Sequence, residues 1–391
     1  MKILSFSSSF PSSVRPTEGI FVLHRLRAIA QKVPLEVVHP LATIPLIGSI
    51  HSRAALPLEE RVGDLTVYHR RFSYVPGILK RFDSRFYALG LENWLRMYCA
   101  RERPTLLDAH FAWPDGVGVS YLARGLGLPY TITLRGTINP RYPIRCFRRR
   151  MADALQHAAA VISVNRSMAD IAIQLGAAAD RVHVIANGVD MDRFKPVPKA
   201  EARRALDIPQ DQPLVVSVAS LKPPKGHEDL IRAMATEKMP LRARLIIIGG
   251  ETDFGAYRRL LQRLVESLGL RDRVVFAGVL PQETVAAYFS AADVSVLASY
   301  TEGCPNAVLE SLACGTPVIG TPVGAIPEWL KDGENGYVVP VGDPSAIGGA
   351  IAKALRRPWS RDTVRRGIIG RTWETVAKET LSVFEEALRV P

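Results

Sequence analysis

The sequence predicts an α/β protein built from two open, Rossmann-like parallel-sheet domains in tandem. Short apolar runs alternate with longer amphipathic stretches along the whole chain, which is typical of β-α-β units. The proline-interrupted segment Lys195–Lys199 separates two such series. A length of 391 residues is sufficient for two domains with separate cores.

The first series predicts an N-terminal domain that spans residues 1–195. Its predicted strands are Ile3–Ser7, Leu35–His39, Leu106–Ala109, Tyr130–Leu134, Ala160–Val164 and Val182–Ile185. Its predicted helices include Gly19–Gln31, Pro114–Arg124 and Arg166–Leu175. The segment 41–62 is rich in proline, serine and glycine, and this composition predicts a loop.

The second series predicts a domain over residues 200–370, followed by a C-terminal helix within 371–391. The predicted strands are Leu214–Val218, Ala243–Ile248, Val274–Phe276, Val294–Leu297 and Pro317–Ile319. The helices between them are His227–Ala235, Tyr257–Leu268, Thr284–Ser290 and Ala307–Cys314. We expect the amphipathic terminal helix Trp373–Leu388 to pack back toward the first domain. Open parallel sheets bind ligands beyond the carboxyl ends of their strands, so we expect the site in a cleft between the two domains.

The formal net charge of +12 is carried entirely by the N-terminal half. Residues 1–200 hold 27 basic and 15 acidic side chains, whereas residues 201–391 hold 23 of each. The basic side chains cluster at Arg70-Arg71, Lys80-Arg81 and 145–150, and many aromatic residues lie between the first and last cluster. This pattern suits an anionic membrane surface, and it also suits nucleic acid. A third interpretation of this pattern is a surface helix whose aromatic side chains pack into the core.

Several classes of protein are disfavoured by what the sequence lacks. No apolar run reaches 18 residues, and the apolar stretch in the first ten residues is too short for a signal peptide. The four cysteines form no C-x-x-C pair, which argues against a zinc site or a disulfide framework and favours a reducing cytoplasm. No G-x-G-x-x-G follows a strand, and no P-loop is present, which disfavours a dehydrogenase or a P-loop NTPase.

The segment from Glu302 to Glu310 carries the strongest signal for chemistry. It follows a predicted buried strand, and its glycine-containing loop 303–306 precedes a helix predicted to start at Ala307. A helix N-terminus after such a loop offers backbone N–H groups and a positive dipole end to a diphosphate. The two carboxylates that flank it accept hydrogen bonds from ribose and sugar hydroxyls. Two solvated acids near a helix end would look the same.

Glu302 and Glu310, with Gly324-Ala-Ile-Pro-Glu328 downstream, resemble the donor-site signature of glycosyltransferase family 4. Other segments continue the resemblance in the same order along nearly the full length. They are Thr17–Phe21, His110–Gly116, Asn187–Asp190, Lys225-Gly226, Ala313–Ile319 and Asn335–Asp343. The resemblance implies a GT-B fold and transfer with retention of anomeric configuration. It also implies that no metal or other cofactor takes part.

The resemblance also implies roles for individual residues. Glu310 would hold the ribose hydroxyls, Glu302 would contact the donor sugar, and Lys225 would neutralise the leaving diphosphate. The candidate catalytic residues are Glu302, Lys225, His110 and Arg135. His110 follows a predicted strand and could reach the cleft, and a core or surface histidine is the alternative interpretation. The implied donor-binding residues are Gly19, Ser220, Lys225, Gly278, Leu280, Glu302, Gly303, Cys304, Pro305, Asn306, Ala307 and Glu310.

Three positions depart from the family pattern. Ser220 occupies a place where the family often has arginine, with Lys222 as a substitute cation. Arg135 stands where many members have histidine, and arginine cannot act as a base at neutral pH. Arg135 could instead bind a phosphate or a carboxylate of the acceptor. Ala325 replaces the second glycine of a common Gly-Gly pair, and its methyl group would narrow the donor pocket slightly.

The sequence therefore predicts a retaining glycosyltransferase that uses a nucleoside-diphosphate sugar as donor substrate. Its basic half favours a glycan or lipid-linked acceptor, such as a cell-surface polysaccharide precursor, over nucleic acid. A cytoplasmic location follows, with peripheral contact at the inner face of the plasma membrane left open. Two rivals remain: a nucleotide-sugar epimerase on the same fold, and a basic module that binds membranes or nucleic acid. Asp190-Met-Asp192 resembles a metal-binding acid pair but has no visible partner ligands.

Overall fold

The chain folds into two compact units. In the computed structural model, which describes residues 1–44, 48–49, 56–74, 79–136, 138–251 and 255–389, one unit comprises Met1–Asn187 together with Trp373–Pro391. The other unit comprises Gly188–Thr372. The predicted boundaries at 195, 200 and 370 differ from this division. Residues 188–199 belong to the second unit because Val189 and Phe194 are buried in its core.

The described residues contain strands and helices in regular alternation. The strands are β1 Ile3–Phe6, β2 Leu35–Ile44, β3 Gly48–Ser49, β4 Glu59–Val62, β5 Leu65–Ser73, β6 Leu106–His110, β7 Tyr130–Leu134, β8 Ala160–Ser163, β9 Val182–Val184, β10 Leu214–Val218, β11 Arg244–Ile248, β12 Val274–Gly278, β13 Val294–Leu297, β14 Val318–Gly320 and β15 Gly336–Val338. The α-helices are α1 Ile20–Ala30, α2 Asp83–Glu102, α3 Val117–Leu126, α4 Arg145–Gln156, α5 Arg166–Gln174, α6 Lys199–Ala205, α7 His227–Met234, α8 Ala256–Ser267, α9 Gln282–Ala291, α10 Asn306–Ala313, α11 Ile326–Trp329, α12 Pro344–Arg356, α13 Arg361–Arg365 and α14 Trp373–Arg389.

The sheet of the second unit is parallel in every strand pair, in the order β12-β11-β10-β13-β14-β15. Both faces are buried, since alternate residues of one strand contribute to two different cores. Val215 of β10 packs into one cluster, and its neighbours Leu214 and Val216 pack into the other. The strand order reverses between β10 and β13, which is the point where ligands of doubly wound folds bind.

The sheet of the first unit has the path β4-β5-β2-β1-β6-β7-β8-β9, with β3 paired to β2. All pairs are parallel except β4 with β5 and β3 with β2. Its strand order reverses between β1 and β6. Strand β1 pairs in parallel with β2 on one side and with β6 on the other, and both registers begin at Ile3. This unit therefore has a switch point of its own.

The prediction of a loop over 41–62 is wrong for part of this segment. β2 continues to Ile44, residues 48–49 pair with it, and Glu59–Val62 form a strand. The segments 45–47 and 50–55 lie outside the described residues. β4 and β5 make a hairpin around Gly63-Asp64, with Val62 opposite Leu65. The sequence does contain a signal for this hairpin: the Gly63-Asp64 pair lies between two runs of strand-forming residues. The prediction also omitted β5 and β15.

The terminal helix α14 packs in the first unit, as predicted. Trp373, Val376, Leu381 and Phe384 are buried in one core with α1 and the start of β1. The ring of Trp373 stacks on that of His24 in α1 at 5.6 Å between centroids. The last helix thus completes a core begun by the first residues of the chain.

The basic and aromatic stretch of the N-terminal half is not one continuous surface helix. Arg70 and Arg71 lie on β5, and the guanidinium of Arg70 stacks on the ring of Trp94 at 4.5 Å. In α2, Tyr87 is buried with the apolar residues at 91 and 95. Residues 75–78 of the stretch lie outside the described residues. Within the described chain, no helix has both the length and the apolar character to cross a bilayer.

We predict that Phe384→Ala destabilises the first unit by about 3–5 kcal/mol, because it removes a fully buried ring and leaves a cavity. The free energy of unfolding, measured by urea titration, tests this. The matched control is Glu385→Ala, an exposed neighbour on the same helix. Equal unfolding curves for the two variants would contradict the packing described for α14.

Candidate functional site

Lys225 and Glu302 meet at the switch point of the second unit. β10 and β13 are neighbours in its parallel sheet, so the segments that follow their carboxyl ends lie side by side. Lys225 follows β10, and Glu302 follows β13. The Nζ atom of Lys225 donates to Oε1 of Glu302 at 2.6 Å, and the Ser299 hydroxyl donates to the same oxygen at 2.7 Å. The ion pair was not apparent from sequence, because 77 residues separate the partners.

Glycine at position 226 allows these two segments to approach each other. Gly226 has φ of +67°, and a Cβ atom there would overlap the carbonyl oxygen of Ala298. Both the backbone conformation and the contact therefore require glycine. Nearby, the N–H of Tyr300 donates to the carbonyl of Pro224 at 2.8 Å. These backbone contacts fix the distance between Lys225 and Glu302.

The loop after Glu302 leads directly into α10. The helix begins at Asn306, one residue before the predicted start, with Pro305 as its extended N-cap residue. The carbonyl of Gly303 accepts a hydrogen bond from the N–H of Ala325 at 2.8 Å. Ala325, the residue expected to narrow the donor pocket, is buried beneath this loop. The arrangement brings the positive end of a helix dipole beside a carboxylate and a lysine.

Glu310 lies on α10 in a partly buried position. Burial raises its pKa to about 7, Arg193 opposes this shift, and Asp190 adds to it. Arg193 itself pairs with Asp190 at 2.9 Å and with Glu283 of α9 at 2.9 Å. Sequence reasoning missed Arg193, although it adjoins the Asp190-Met-Asp192 motif. The motif is therefore part of an ion-pair network beside Glu310.

Ser220 is held by a histidine that sequence reasoning did not select. The ring Nε2 of His227 lies 3.1 Å from the backbone carbonyl of Ser220. His227 is fully buried, and burial lowers its pKa to about 4, so the ring is neutral and donates through Nε2. The sequence signal that could have identified His227 as a site residue is its position at the start of α7, directly after Gly226.

The predicted base-binding segment begins at the end of β12. Gly278 has φ of +72°, and its carbonyl accepts from the N–H of Gly249 at 2.8 Å. Leu280 is partly buried against the same core as Leu297 and Val308. β12 is the edge strand of the sheet, two strands away from β10. The segment therefore lies along the same carboxyl edge as Lys225.

In the first unit, a buried chain of polar side chains leads from Asp108 to Arg135. Asp108 accepts from Ser5 at 2.8 Å and from Thr131 at 3.0 Å, and its Oδ2 lies 3.0 Å from Nε2 of His110. The Nε of Arg135 donates to Nδ1 of His110 at 3.1 Å. Asp108 was not selected from the sequence, although it is an acid on a buried strand two residues before His110.

His110 is neutral in this chain. Burial is the main cause that lowers its pKa to about 4, against the opposing effect of Asp108. A neutral ring that accepts at Nδ1 carries its proton on Nε2, toward the carboxylate of Asp108. The ring is fully buried, so its direct effect is to orient Arg135. Arg135 also donates to Oδ1 of Asn187 at 3.1 Å.

Gly19 lies near Arg135 through the start of α1. It has φ of +67°, and a Cβ atom there would overlap the carbonyl oxygen of Ser9. Two residues later, the ring of Phe21 lies 5.1 Å from the Arg135 guanidinium. Gly19, His110 and Arg135 belong to the first unit, and the other predicted site residues belong to the second.

The described residues hold no group of three or more His, Cys, Asp or Glu side chains that could bind a metal ion. Cys304 is partly buried in the loop after Glu302, and Cys314 is buried at the end of α10. Burial raises the pKa of Cys314 to about 12, so this thiol is neutral. Transfer without a metal stays a prediction.

Two family models match the chain. The model described as "Glycosyl transferases group 1" matches residues 198–369, and the model described as "Glycosyltransferase Family 4" matches residues 50–193. A D-inositol 3-phosphate glycosyltransferase from Acidothermus cellulolyticus is 34% identical over 223 residues, which are 54% of this chain and 50% of that protein. One from Xylanimonas cellulosilytica is 31% identical over 59% of this chain and 57% of its own. The chain spans about half the length of the curated relatives it matches.

Solved structures agree in fold. Sucrose-phosphate synthase from Thermosynechococcus elongatus aligns with a TM-score of 0.81 at 22% identity, over 100% of both chains. Anabaena HepE in complex with UDP aligns with a TM-score of 0.69 at 19% identity, over 100% of this chain and 98% of that chain. At such identities the likeness shows the fold alone. The two family models match separate parts of the chain, 50–193 and 198–369, to glycosyltransferases, and the solved structures show that the chain has the GT-B fold.

Proposed function

We propose that this protein is a retaining glycosyltransferase that moves a hexose-type sugar from a nucleoside diphosphate to a glycan or lipid-linked acceptor. The observation that carries the proposal is the Lys225–Glu302 pair at the β10–β13 switch point, next to the start of α10. A lysine and a helix N-terminus suit a diphosphate. The carboxylate beside them suits sugar hydroxyls.

The proposed donor lies along the carboxyl edge of the second sheet. Lys225 stabilises the leaving diphosphate, whose charge grows in the transition state. Glu302 orients the donor sugar, and Glu310 accepts hydrogen bonds from the ribose. The base lies near Gly278 and Leu280, as the resemblance implies. HepE, which shares the fold, has been solved with UDP and with UDP-glucose.

No side chain in this proposal acts as a nucleophile or a metal ligand. Glu302 already accepts hydrogen bonds from Lys225 and Ser299, which suits a role in orientation. The acceptor hydroxyl attacks the anomeric carbon on the face that the diphosphate leaves, and its proton passes to the departing phosphate oxygen. Arg135, oriented by His110, supplies a fixed positive charge and donates hydrogen bonds in the first unit.

We predict that Glu302→Gln and Lys225→Met each lower the rate of sugar transfer by at least about 100-fold, because each removes a contact to the reacting donor. Glu310→Ala should instead weaken donor binding.

A thermal-shift panel with UDP, GDP and ADP and their sugar conjugates identifies the donor, and anomeric proton NMR of the product reports whether the configuration is retained. Glu237→Gln is the control, since this exposed acid of the second unit lies outside the donor-site signature.

The outcomes separate the rivals. Wild-type transfer rates in Glu302→Gln and Glu310→Ala would refute the assignment of the donor site. A changed nucleotide-sugar released without any acceptor would identify an epimerase. Binding of vesicles or nucleic acid with no response to any nucleotide would identify a basic binding module.

An anionic, lipid-linked acceptor at the inner face of the plasma membrane is the second part of the proposal. Exposed basic side chains on α2 and α4 accompany exposed apolar ones on the first unit. The phenyl ring of Phe82 joins the two helices, since Arg81 stacks on it at 4.9 Å and Arg150 at 5.6 Å. The exposed residues proposed for this contact are Arg81, Arg85, Leu89, Met97, Ile144, Arg145, Arg148 and Arg149. Arginines beside exposed apolar groups suit anionic headgroups.

We predict that Arg148→Gln with Arg149→Gln weakens binding to vesicles that contain anionic lipid by about 2 kcal/mol, since each arginine near such a surface contributes about 1 kcal/mol. Flotation with and without phosphatidylserine measures the effect. The control is Arg232→Gln with Arg263→Gln, two exposed arginines of the second unit. Equal recovery on neutral and anionic vesicles would refute the electrostatic contact.

A further inference from the structure

Arg193 contacts or influences both parts of the chain that are proposed to receive the nucleoside of the donor. Its Nη1 atom donates to Oε1 of Gln282 at 2.7 Å, and its Nε atom donates to Oε1 of Glu283 at 2.9 Å. These two residues begin α9 and directly follow the segment 278–281, which is proposed for the base. The charge of Arg193 also acts on the carboxyl group of Glu310, which is proposed for the ribose.

The backbone around Arg193 is held, which restricts its side chain. The N–H of Arg193 donates to Oδ1 of Asp190 at 3.1 Å, and its Nη1 atom pairs with Oδ2 of the same residue at 2.9 Å. The next residue, Phe194, is buried against Phe289 of α9, with 6.4 Å between the ring centroids. The guanidinium therefore has three polar partners on two segments, and its planar fork holds such partners in one arrangement. The contact joins the loop before α6 to the start of α9.

The segment that carries Arg193 also shares an apolar core with α10. Met191 and Leu280 both pack against the core to which Leu309 of α10 belongs. Glu310 is the next residue on that helix and is partly buried. Charges in such surroundings are screened less by water and salt than charges at an open surface. An arginine in this loop can therefore influence the carboxyl group on α10.

The carboxyl group of Glu310 responds to two opposite charges. Burial is the main cause that raises its pKa to about 7. The positive charge of Arg193 lowers this pKa, and the negative charge of Asp190 raises it. The two residues that pair with each other thus act on Glu310 in opposite directions.

The helices α9 and α13 pack on α10 and carry further charged groups. These groups are Glu283 of α9 and Arg361, Asp362 and Arg365 of α13. The two arginines act on the thiol of Cys314 at the end of α10. The two acids are exposed. The charges that act on Glu310 therefore come from the loop before α6.

We propose that Arg193 is a positioning residue for the nucleoside of the donor. Through Gln282 and Glu283 it fixes the start of α9, and with it the segment 278–281 that receives the base. Its positive charge favours the ionised carboxylate of Glu310, which accepts hydrogen bonds from the ribose hydroxyls. The inference rests on the proposed function, because it takes the base and the ribose to lie where that function places them. It adds the residue that couples the two.

Donor affinity then depends on pH with a definite sign. An ionised carboxylate accepts from both ribose hydroxyls, and a protonated one loses part of this capacity. Because the pKa of Glu310 is about 7, affinity is full above that pH and falls below it, by about tenfold between pH 8 and pH 6. Replacing Arg193 removes the charge that lowers this pKa, so the fall begins at a higher pH. Replacing Asp190 removes the charge that raises it, so the fall begins at a lower pH.

Dissociation constants of UDP-glucose, GDP-mannose and ADP-glucose test the inference, measured with the full chain by titration calorimetry between pH 6 and pH 8. The phosphates of these donors stay ionised over this range, so they add no step of their own. We expect Arg193→Gln to move the midpoint of the pH dependence upward. It should also weaken binding at pH 7 about tenfold or more, since hydrogen bonds to charged groups have that strength. Asp190→Asn should move the midpoint downward, and Glu310→Gln should remove the pH dependence.

Matched variants separate this role from a purely structural one. Arg204→Gln removes an exposed arginine of α6, and Asp192→Asn removes the exposed acid next to Arg193. Both should keep the wild-type midpoint. Arg193→Lys retains the charge without the planar fork, so it should keep the midpoint and lose affinity. If Arg193→Gln does not fold, Asp190→Asn still reports the shift, since asparagine keeps an acceptor for the N–H of Arg193.

A midpoint that stays in place in both Arg193→Gln and Asp190→Asn, or moves in the same direction in both, would overturn the inference. A wild-type affinity that is constant from pH 6 to pH 8 would overturn it as well. In each of these cases the binding of a nucleotide-sugar leaves the proposed function intact. Failure of all three nucleotide-sugars to bind the wild-type chain overturns the donor site, and this inference with it.

Discussion

The structure of the second unit depends on one adjacency: β10 pairs directly with β13. The strands between them in sequence, β11 and β12, lie on the far side of β10, so the segments after β10 and β13 have no strand between them. Lys225 and Glu302 meet across this gap, and Gly226 permits the contact because a larger residue would overlap Ala298. The sheet that holds this adjacency is buried on both faces, as parallel sheets are.

The first unit also has a switch point in its sheet, with a different set of groups around it. Its switch point carries no close lysine–glutamate pair among the described residues, and it places aromatic rings with Asp83 and Arg141 around a cavity. Deeper in the sheet, Asp108 and His110 orient Arg135 through two successive polar contacts. Burial keeps the histidine neutral, and a neutral ring can accept from arginine where a charged ring could not. Arg135, the arginine that departs from the family pattern, is therefore held in place by its hydrogen bond to the neutral ring of His110.

Apolar periodicity was sufficient to predict most strands and helices, because both sheets are buried on two faces and their strands are continuous apolar runs. It failed at β4, whose exposed face carries Glu59 and Arg61, and at the division of the chain, where prolines at 195–199 suggested a linker. Partners that are distant in sequence could not be predicted from spacing. Neither Arg193 beside Glu310 nor Asp108 beside His110 stands in a motif, since their roles arise only when the sheet brings their strands and loops together.

The return of α14 to the first unit has a consequence for the order of events during synthesis. The core that contains Phe10, Val22 and Leu26 also contains Val376 and Phe384, so the first unit is assembled from both ends of the chain. On a ribosome, the second unit has all of its residues available before the first one does. The face of α1 that packs on α14 stays uncovered until translation reaches α14, and apolar surface exposed in this way is prone to aggregation.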